Sequence, residues 1–228
     1  RLSPSIAGVM MSSLDYLAHY PYGCTEQTLS AFLPDIALIR MIDRLGVANP
    51  GLRARLPDMV NTGLLRLSDS QRGDGGWGWW RYDEADPYMT AYAVYGLIQA
   101  QNAGFSVNRE MRDRGVSALN QMVSATNKRM HNALAKGQLV NVDSHIYGAW
   151  VLALADKPKT AGDTARIYLT QPKKAERLSD WGRSVLALTL YELDERETAR
   201  DQLEVVWQRF SAQAEPVRSA TWRSRAEN

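Results

Sequence analysis

The 228-residue chain has a single cysteine, Cys24, and that scarcity removes several classes of protein at once. One thiol cannot close an internal disulfide, build a zinc knuckle or form a CxxC redox pair. Long apolar runs are missing too. The longest, YGAWVLALA at 147–155, falls far short of the roughly 20 residues of a membrane span, so none is expected. Charge of one sign is also lacking: 27 lysines and arginines face 25 acidic residues, and a net charge of +2 gives no basic field for nucleic acid. The opening residues, RLSPS, carry no signal-peptide pattern, and the abrupt ends read as those of a segment cut from a larger chain. No stretch alternates at the strand period of two. No metal and no cofactor is expected.

What the chain does have is helical periodicity almost throughout, with a 45% hydrophobic content ordinary for a sizeable core. Ile6, Met10, Leu14 and Leu17 predict a helix over about 4–18. Leu29, Phe32, Ile36, Ile39 and Ile42 predict a second, running from near Cys24 to a stop at Gly46, with Pro34 as a bend. Others are expected near 55–70, 88–102, 108–126, 143–156, 161–170, 180–193 and 196–213.

These helices are of two kinds. Segments 147–155 and 184–193 are apolar on nearly every side, as helices enclosed by others are. Segments 108–126 and 196–213 set charge on one face and Met111, Leu119 and Met122, or Leu203, Val206 and Phe210, on the other. The alternation predicts an all-α fold, an α/α toroid of inner and outer helices. About nine helices is an odd number for rings built from pairs, so an incomplete toroid or a fragment is expected. The toroid is assigned to residues 1–213, and 214–228, which lose periodicity and contain Pro216, to an irregular tail.

The stretch QRGDGGWGWW at 71–80 supports the same fold. Its glycines allow tight turns and its tryptophans bring large rigid apolar area with an indole donor that needs a partner. Gln71, Gly75 and Trp77 resemble the QW turn motif of terpene-cyclase toroids, where such turns join helix to helix.

The chemistry gathers at YPYGCTEQ, residues 20–27. A helix starting just after Pro21, Tyr22 and Gly23 sets Cys24 near its first turn, where unpaired N–H groups and the helix dipole stabilise a thiolate below the ~8.5 of a free cysteine. Positions i and i+3 share a helical face, so the Cys24 sulfur and the Gln27 side-chain carbonyl can meet. Attack on that amide with loss of ammonia yields an internal thioester. Spacing alone also fits an inert, packed cysteine.

The whole string YPYGCTEQT, with its C-x-E-Q arrangement, resembles the thioester motif of the alpha-2-macroglobulin and complement superfamily, and its YPYGC approach looks most like bacterial alpha-2-macroglobulins. Downstream, PYMTAYAVYGL at 87–97 resembles the helix of the same domain that bears a W-L-T-A-[FY] pattern. The resemblance implies a thioester domain of a larger protein, with Cys24 and Gln27 forming the bond and Glu26 supporting the motif. It further implies a single-use covalent protease trap rather than a turning-over enzyme. Its partners are then target proteases and the neighbouring domains of the parent chain. The implied location is the bacterial periplasm, the parent anchored to a membrane or free.

Some members of that superfamily carry a histidine that takes the acyl group first and redirects it to hydroxyls. His145, in NVDSHIYGAW, lies at about the family's distance from the cysteine. His131, in a polar stretch, and His19, ahead of the motif, are weaker candidates. Tyr20 and Tyr22 flank the cysteine, and Trp77, Trp79 and Trp80 are available to exclude water from the bond. Two enzyme readings and one binding reading compete. A terpene-cyclase-type toroid needs a DxDD acid cluster, and the nearest stretch, DEAD at 83–86, has different spacing. A cysteine hydrolase using Cys24 and His145 leaves Glu26 and Gln27 unexplained. A plain helical interaction module predicts an unreactive thiol.

Overall fold

The computed structural model describes residues 23–45, 50–132 and 140–213. The expected helix at 4–18, the stop at Gly46, the shielding tyrosines Tyr20 and Tyr22, His19 and the tail at 214–228 lie outside these residues. Among the described residues every regular element is helical: α1 Thr25–Leu45, α2 Pro50–Ser70, α3 Pro87–Asn102, α4 Arg109–Asn132, α5 Val142–Leu154, α6 Pro158–Thr170, the single turn α7 Pro172–Ala175, α8 Asp180–Glu192 and α9 Arg196–Gln213.

The helices form two concentric layers. α1, α3, α5 and α8 pack side by side in that order as the inner layer, while α2, α4, α6 and α9 pack outside them. This is the α/α toroid expected from the alternation of apolar and amphipathic segments. α1 runs unbroken through Pro34, where a bend was expected, and α2 and α4 extend further than their periodicity suggested.

Local chemistry sets where each inner helix starts and stops. Asp86, Asn141 and Ser179 cap α3, α5 and α8, each side chain accepting from a backbone N–H three residues on, and Pro87 occupies the first turn of α3. All three helices end alike. Phe105, Lys157 and Glu195 donate to the carbonyls of Ala100, Leu152 and Leu190, closing 6→1 bonds around Gly104, Asp156 and Asp194 at positive φ. Each closure turns the chain outward into the next outer helix, so the inner helices run parallel with their N-termini at one end of the ring. Contacts between helix starts agree: Asp143 of α5 accepts from the Ser179 N–H at the cap of α8, and Tyr147 of α5 meets Tyr88 of α3 and Trp181 of α8 with ring centroids 5.4 and 5.8 Å apart.

Packing is closest where small residues admit large ones. Phe32 of α1 is 1% exposed and fits between Gly63 of α2 and Gly96 of α3, where an added Cβ would lie 2.6 Å and 3.2 Å from its ring. The half-buried side of α3 carries Tyr88, Tyr92 and Tyr95, which join Tyr147 and Trp150 of α5 in a run of tilted ring contacts.

The loop between α2 and α3 is built on Trp77, which is fully buried. Its indole N–H donates to the Leu67 carbonyl at 2.8 Å and its backbone N–H to the Thr90 hydroxyl at 3.0 Å. Gln71 ties the same loop to α4, its amide donating to the carbonyls of Gly75 and Met111 at 2.9 and 2.8 Å. The Gln71, Gly75 and Trp77 pattern thus joins helix to helix.

Trp77→Phe removes the indole donor, leaves the Leu67 carbonyl with only the longer bond from the Ser70 hydroxyl at 3.2 Å, and leaves part of a fully buried volume empty. We expect a loss of about 2–3 kcal/mol in urea unfolding. Trp79→Phe, at a ring 46% exposed, should stay within about 0.5 kcal/mol of wild type. Equal losses in the two variants would contradict the anchoring role of Trp77.

Candidate functional site

Cys24 immediately precedes α1 and occupies its cap position, its carbonyl accepting the first helical bond from the Thr28 N–H at 3.0 Å. Gln27 is the third residue of the helix. The two exchange hydrogen bonds: the Cys24 N–H donates to Gln27 Oε1 at 3.2 Å, and the Gln27 N–H to Cys24 Sγ at 3.5 Å. This is the reciprocal geometry of a capping box, in which the cap side chain and the third helical side chain each satisfy the other's backbone donor. Here a thiol replaces the usual hydroxyl. The pairing therefore follows from the way this helix begins, and it holds a nucleophile beside a carboxamide.

Burial divides the pair. Cys24 is 9% exposed, whereas Gln27 is open to solvent. Gly23 packs against Gln27, and a Cβ there would lie 3.2 Å from Gln27 Cβ and 3.4 Å from Oε1. Glu26 accepts from the Ser30 hydroxyl one turn along. Its charge also contributes to raising the Tyr88 pKa, behind burial and Tyr92.

The first turn is held from outside by a residue that sequence reasoning did not single out. Thr25 is 4% exposed; its N–H donates to the Trp79 carbonyl at 2.8 Å and its hydroxyl to the Gly78 carbonyl at 2.7 Å. Of the tryptophans considered as a cover, Trp77 is spent in the core, and Trp79 and Trp80 are 46% and 59% exposed. Trp79 meets the first turn of α1 through its backbone, and Trp80 lines a groove with Gly23, Thr25 and Thr28.

His145 lies at the same end of the ring as Cys24, one inner helix beyond α3, but its described partner is Tyr168. His145 Nδ1 and the Tyr168 hydroxyl are 2.9 Å apart, and that hydroxyl also donates toward the Val142 carbonyl at 3.2 Å. The imidazole is 5% exposed and lines a small cavity with Asp86, Pro87 and Tyr88. Burial, aided by the charges of Arg129 and Lys174, pulls its pKa down to about 4, so it is neutral near pH 7. His131 falls near the end of α4, and its side chain lies outside the described residues. Among the described residues no group of three or more His, Cys, Asp or Glu side chains could hold a metal, and no helix is long and apolar enough to cross a membrane.

The protein is thus a two-layered helical ring with a thiol and a carboxamide hydrogen-bonded to each other at the start of an inner helix. The chain belongs to the A-macroglobulin TED domain family, whose model matches residues 2–227. It is 36% identical over 188 residues to an alpha-2-macroglobulin of Thermotoga maritima, covering 79% of this chain and 10% of that protein. The chain thus spans about a tenth of the length of that relative. In fold it is similar to native alpha-2-macroglobulin from Escherichia coli spanning domain MG7 to the C-terminus, with a TM-score of 0.66 and 22% identity over 87% of this chain and 31% of that one. Salmonella alpha-2-macroglobulin reacted with methylamine matches with a TM-score of 0.64 and 23% identity, over 87% and 13% of the two chains.

The buried imidazole makes stability pH-dependent with a definite sign. The folded pKa of His145 lies near 4, below the ordinary 6.5, so the unfolded chain takes up a proton first as pH falls. Its contribution is complete above pH 6.5 and is lost progressively between 6.5 and 4. His145→Gln cannot titrate, so its stability deficit against wild type should shrink by about 3 kcal/mol between pH 7 and pH 4 in urea unfolding. A deficit that stays constant with pH would contradict this burial.

Proposed function

We propose that Cys24 and Gln27 close an internal thioester and that the parent protein uses it as a single-use covalent trap for an attacking protease. The observation that carries this reading is the reciprocal pair of hydrogen bonds between the two residues, 3.2 and 3.5 Å long. The Cys24 thiolate adds to the side-chain carbonyl carbon of Gln27, the carbon–nitrogen bond breaks, and ammonia leaves carrying the thiol proton. A nucleophile then attacks the same carbon and displaces the thiolate. The target remains joined to Gln27 and the Cys24 thiol is regenerated, so each domain acts once. Glu26 supports the motif by holding Ser30 and shaping the exposed side of the turn.

Family membership and relatives described as alpha-2-macroglobulins support the reading. In this reading capture draws on the rest of the parent, since the chain spans about a tenth of the length of the Thermotoga relative. Neighbouring domains are therefore the second class of partner. A trap of this kind works outside the cytoplasm, and the periplasm is the location we assign.

Amines are the acceptors we assign, above all lysine side chains of the protease. The described contacts of His145 lead to Tyr168, and none reaches the cysteine or the glutamine, so no relay toward hydroxyls is built into this reading. That a Salmonella relative has been reacted with methylamine agrees with amine chemistry.

The full parent chain should fall short of its sequence mass by one ammonia and show no titratable thiol, and methylamine should restore the thiol. Cys24→Ala should abolish covalent conjugation to a trypsin-like protease while costing about 1 kcal/mol or less in stability. Undiminished conjugation by this variant rules the mechanism out. Glycerol should not compete with methylamine, and His145→Ala should leave the amine reaction intact. Competition by glycerol that His145→Ala removes would instead restore the histidine relay.

A further inference from the structure

We infer that Thr25 is a positioning residue for the thioester, acting as a two-point clamp between the first turn of α1 and the loop that follows α2. The inference rests on the thioester reading above, and it concerns what keeps the reacting pair in register.

The bonds between Cys24 and Gln27 are long and partly exposed, and a sulfur is a weak acceptor. By themselves they do not fix the turn. Helix starts leave their first N–H groups unpaired and fray readily. Thr25 removes that freedom because it lies between the two reacting residues and is held in two directions. Its N–H donates to the Trp79 carbonyl at 2.8 Å and its hydroxyl to the Gly78 carbonyl at 2.7 Å, both shorter than either bond within the pair. Thr25 is 4% exposed, so water has little access to its two donors.

The acceptors are themselves fixed. Trp77 is anchored by Leu67 and Thr90, its carbonyl accepts from the Asp86 N–H at 2.9 Å, and the Trp80 N–H donates to Asp83 at 3.0 Å. Gly78 passes so close to the returning strand of the loop that a Cβ would lie 2.6 Å from the Glu84 carbonyl oxygen. The Gly78 and Trp79 carbonyls therefore present a rigid edge to which the reactive turn is fastened. Thr25 takes no part in bond making. In closure the sulfur–carbon bond forms, the carbon–nitrogen bond breaks and the thiol proton leaves with ammonia, whatever residue 25 is. What the clamp supplies is alignment, and misplacement of reacting groups by about 1 Å can cost on the order of a hundredfold in rate.

The test compares Thr25→Val, which keeps the shape and removes the hydroxyl, with Thr25→Ser, which keeps the hydroxyl. Both are made in the full parent chain, with urea unfolding checking that each folds. Intact mass gives the fraction lacking one ammonia, and the rate of iodoacetamide alkylation at Cys24 gives access to the thiol. If wild type carries the bond, Thr25→Val should close it about tenfold to a hundredfold more slowly after refolding, and Thr25→Ser should restore most of the rate. Equal closure in wild type and Thr25→Val overturns the clamp, as does failure of Thr25→Ser to rescue. If wild type has its full sequence mass and a free thiol, the thioester reading falls, while the clamp is still read from alkylation. Thr25→Val should then be alkylated about tenfold faster than wild type and Thr25→Ser should not. Equal alkylation rates in all three chains overturn the clamp too.

Discussion

The indole of Trp77 is held by the Leu67 carbonyl above, by Thr90 through its own backbone, and by α4, where Gly115 leaves room for the ring. The loop leaving Trp77 has little freedom as a result. Its next two carbonyls reach Thr25, and Thr25 sits between Cys24 and Gln27. Core packing is thereby converted into the geometry of the Cys24 and Gln27 pair within three residues of loop. A large rigid ring with one obligatory donor suits that task, because its position and its rotation are both fixed by partners in the core.

The pairing of Cys24 with Gln27 depends on an ordinary way of starting a helix. A capping box requires an acceptor at the cap and an acceptor-bearing side chain three residues later. Substituting a thiol for the hydroxyl keeps the hydrogen-bond pattern while making one member nucleophilic and leaving the other a carboxamide. Secondary structure and chemistry thus share one constraint here.

The layered helical fold was legible in the sequence because burial on all sides and burial on one side leave different patterns, as in 147–155 against 108–126. Helix ends were less legible. Two of the three inner helices that close on a positive-φ residue use Asp156 and Asp194 in place of glycine, so the usual punctuation is missing. The pairing of Cys24 with Gln27 was readable from spacing, and the helix-joining turn of Gln71, Gly75 and Trp77 from motif. Thr25 was not, since its partner lies 53 residues away in sequence and no local pattern encodes such a contact. The surroundings of His145 were equally hidden, because Tyr168 comes from an outer helix and periodicity says which face is buried, not what lies opposite. Tryptophans that looked alike in QRGDGGWGWW separate into one core residue and two exposed ones, a distinction set by the turn and invisible in composition.

Phe32, wedged between Gly63 and Gly96, has a mechanical meaning for anything joined to Gln27. Gln27, the attachment point under the proposed function, is on the first turn of an inner helix, and that helix is gripped on both flanks less than two turns further along. A pull on the tether is passed axially into α1 and then sideways into α2 and α3. The clamp at Thr25 adds a second, lateral support at the very end of the rod. A bulky cargo tugged by thermal motion would therefore load closely packed helices rather than peel away a frayed helix end.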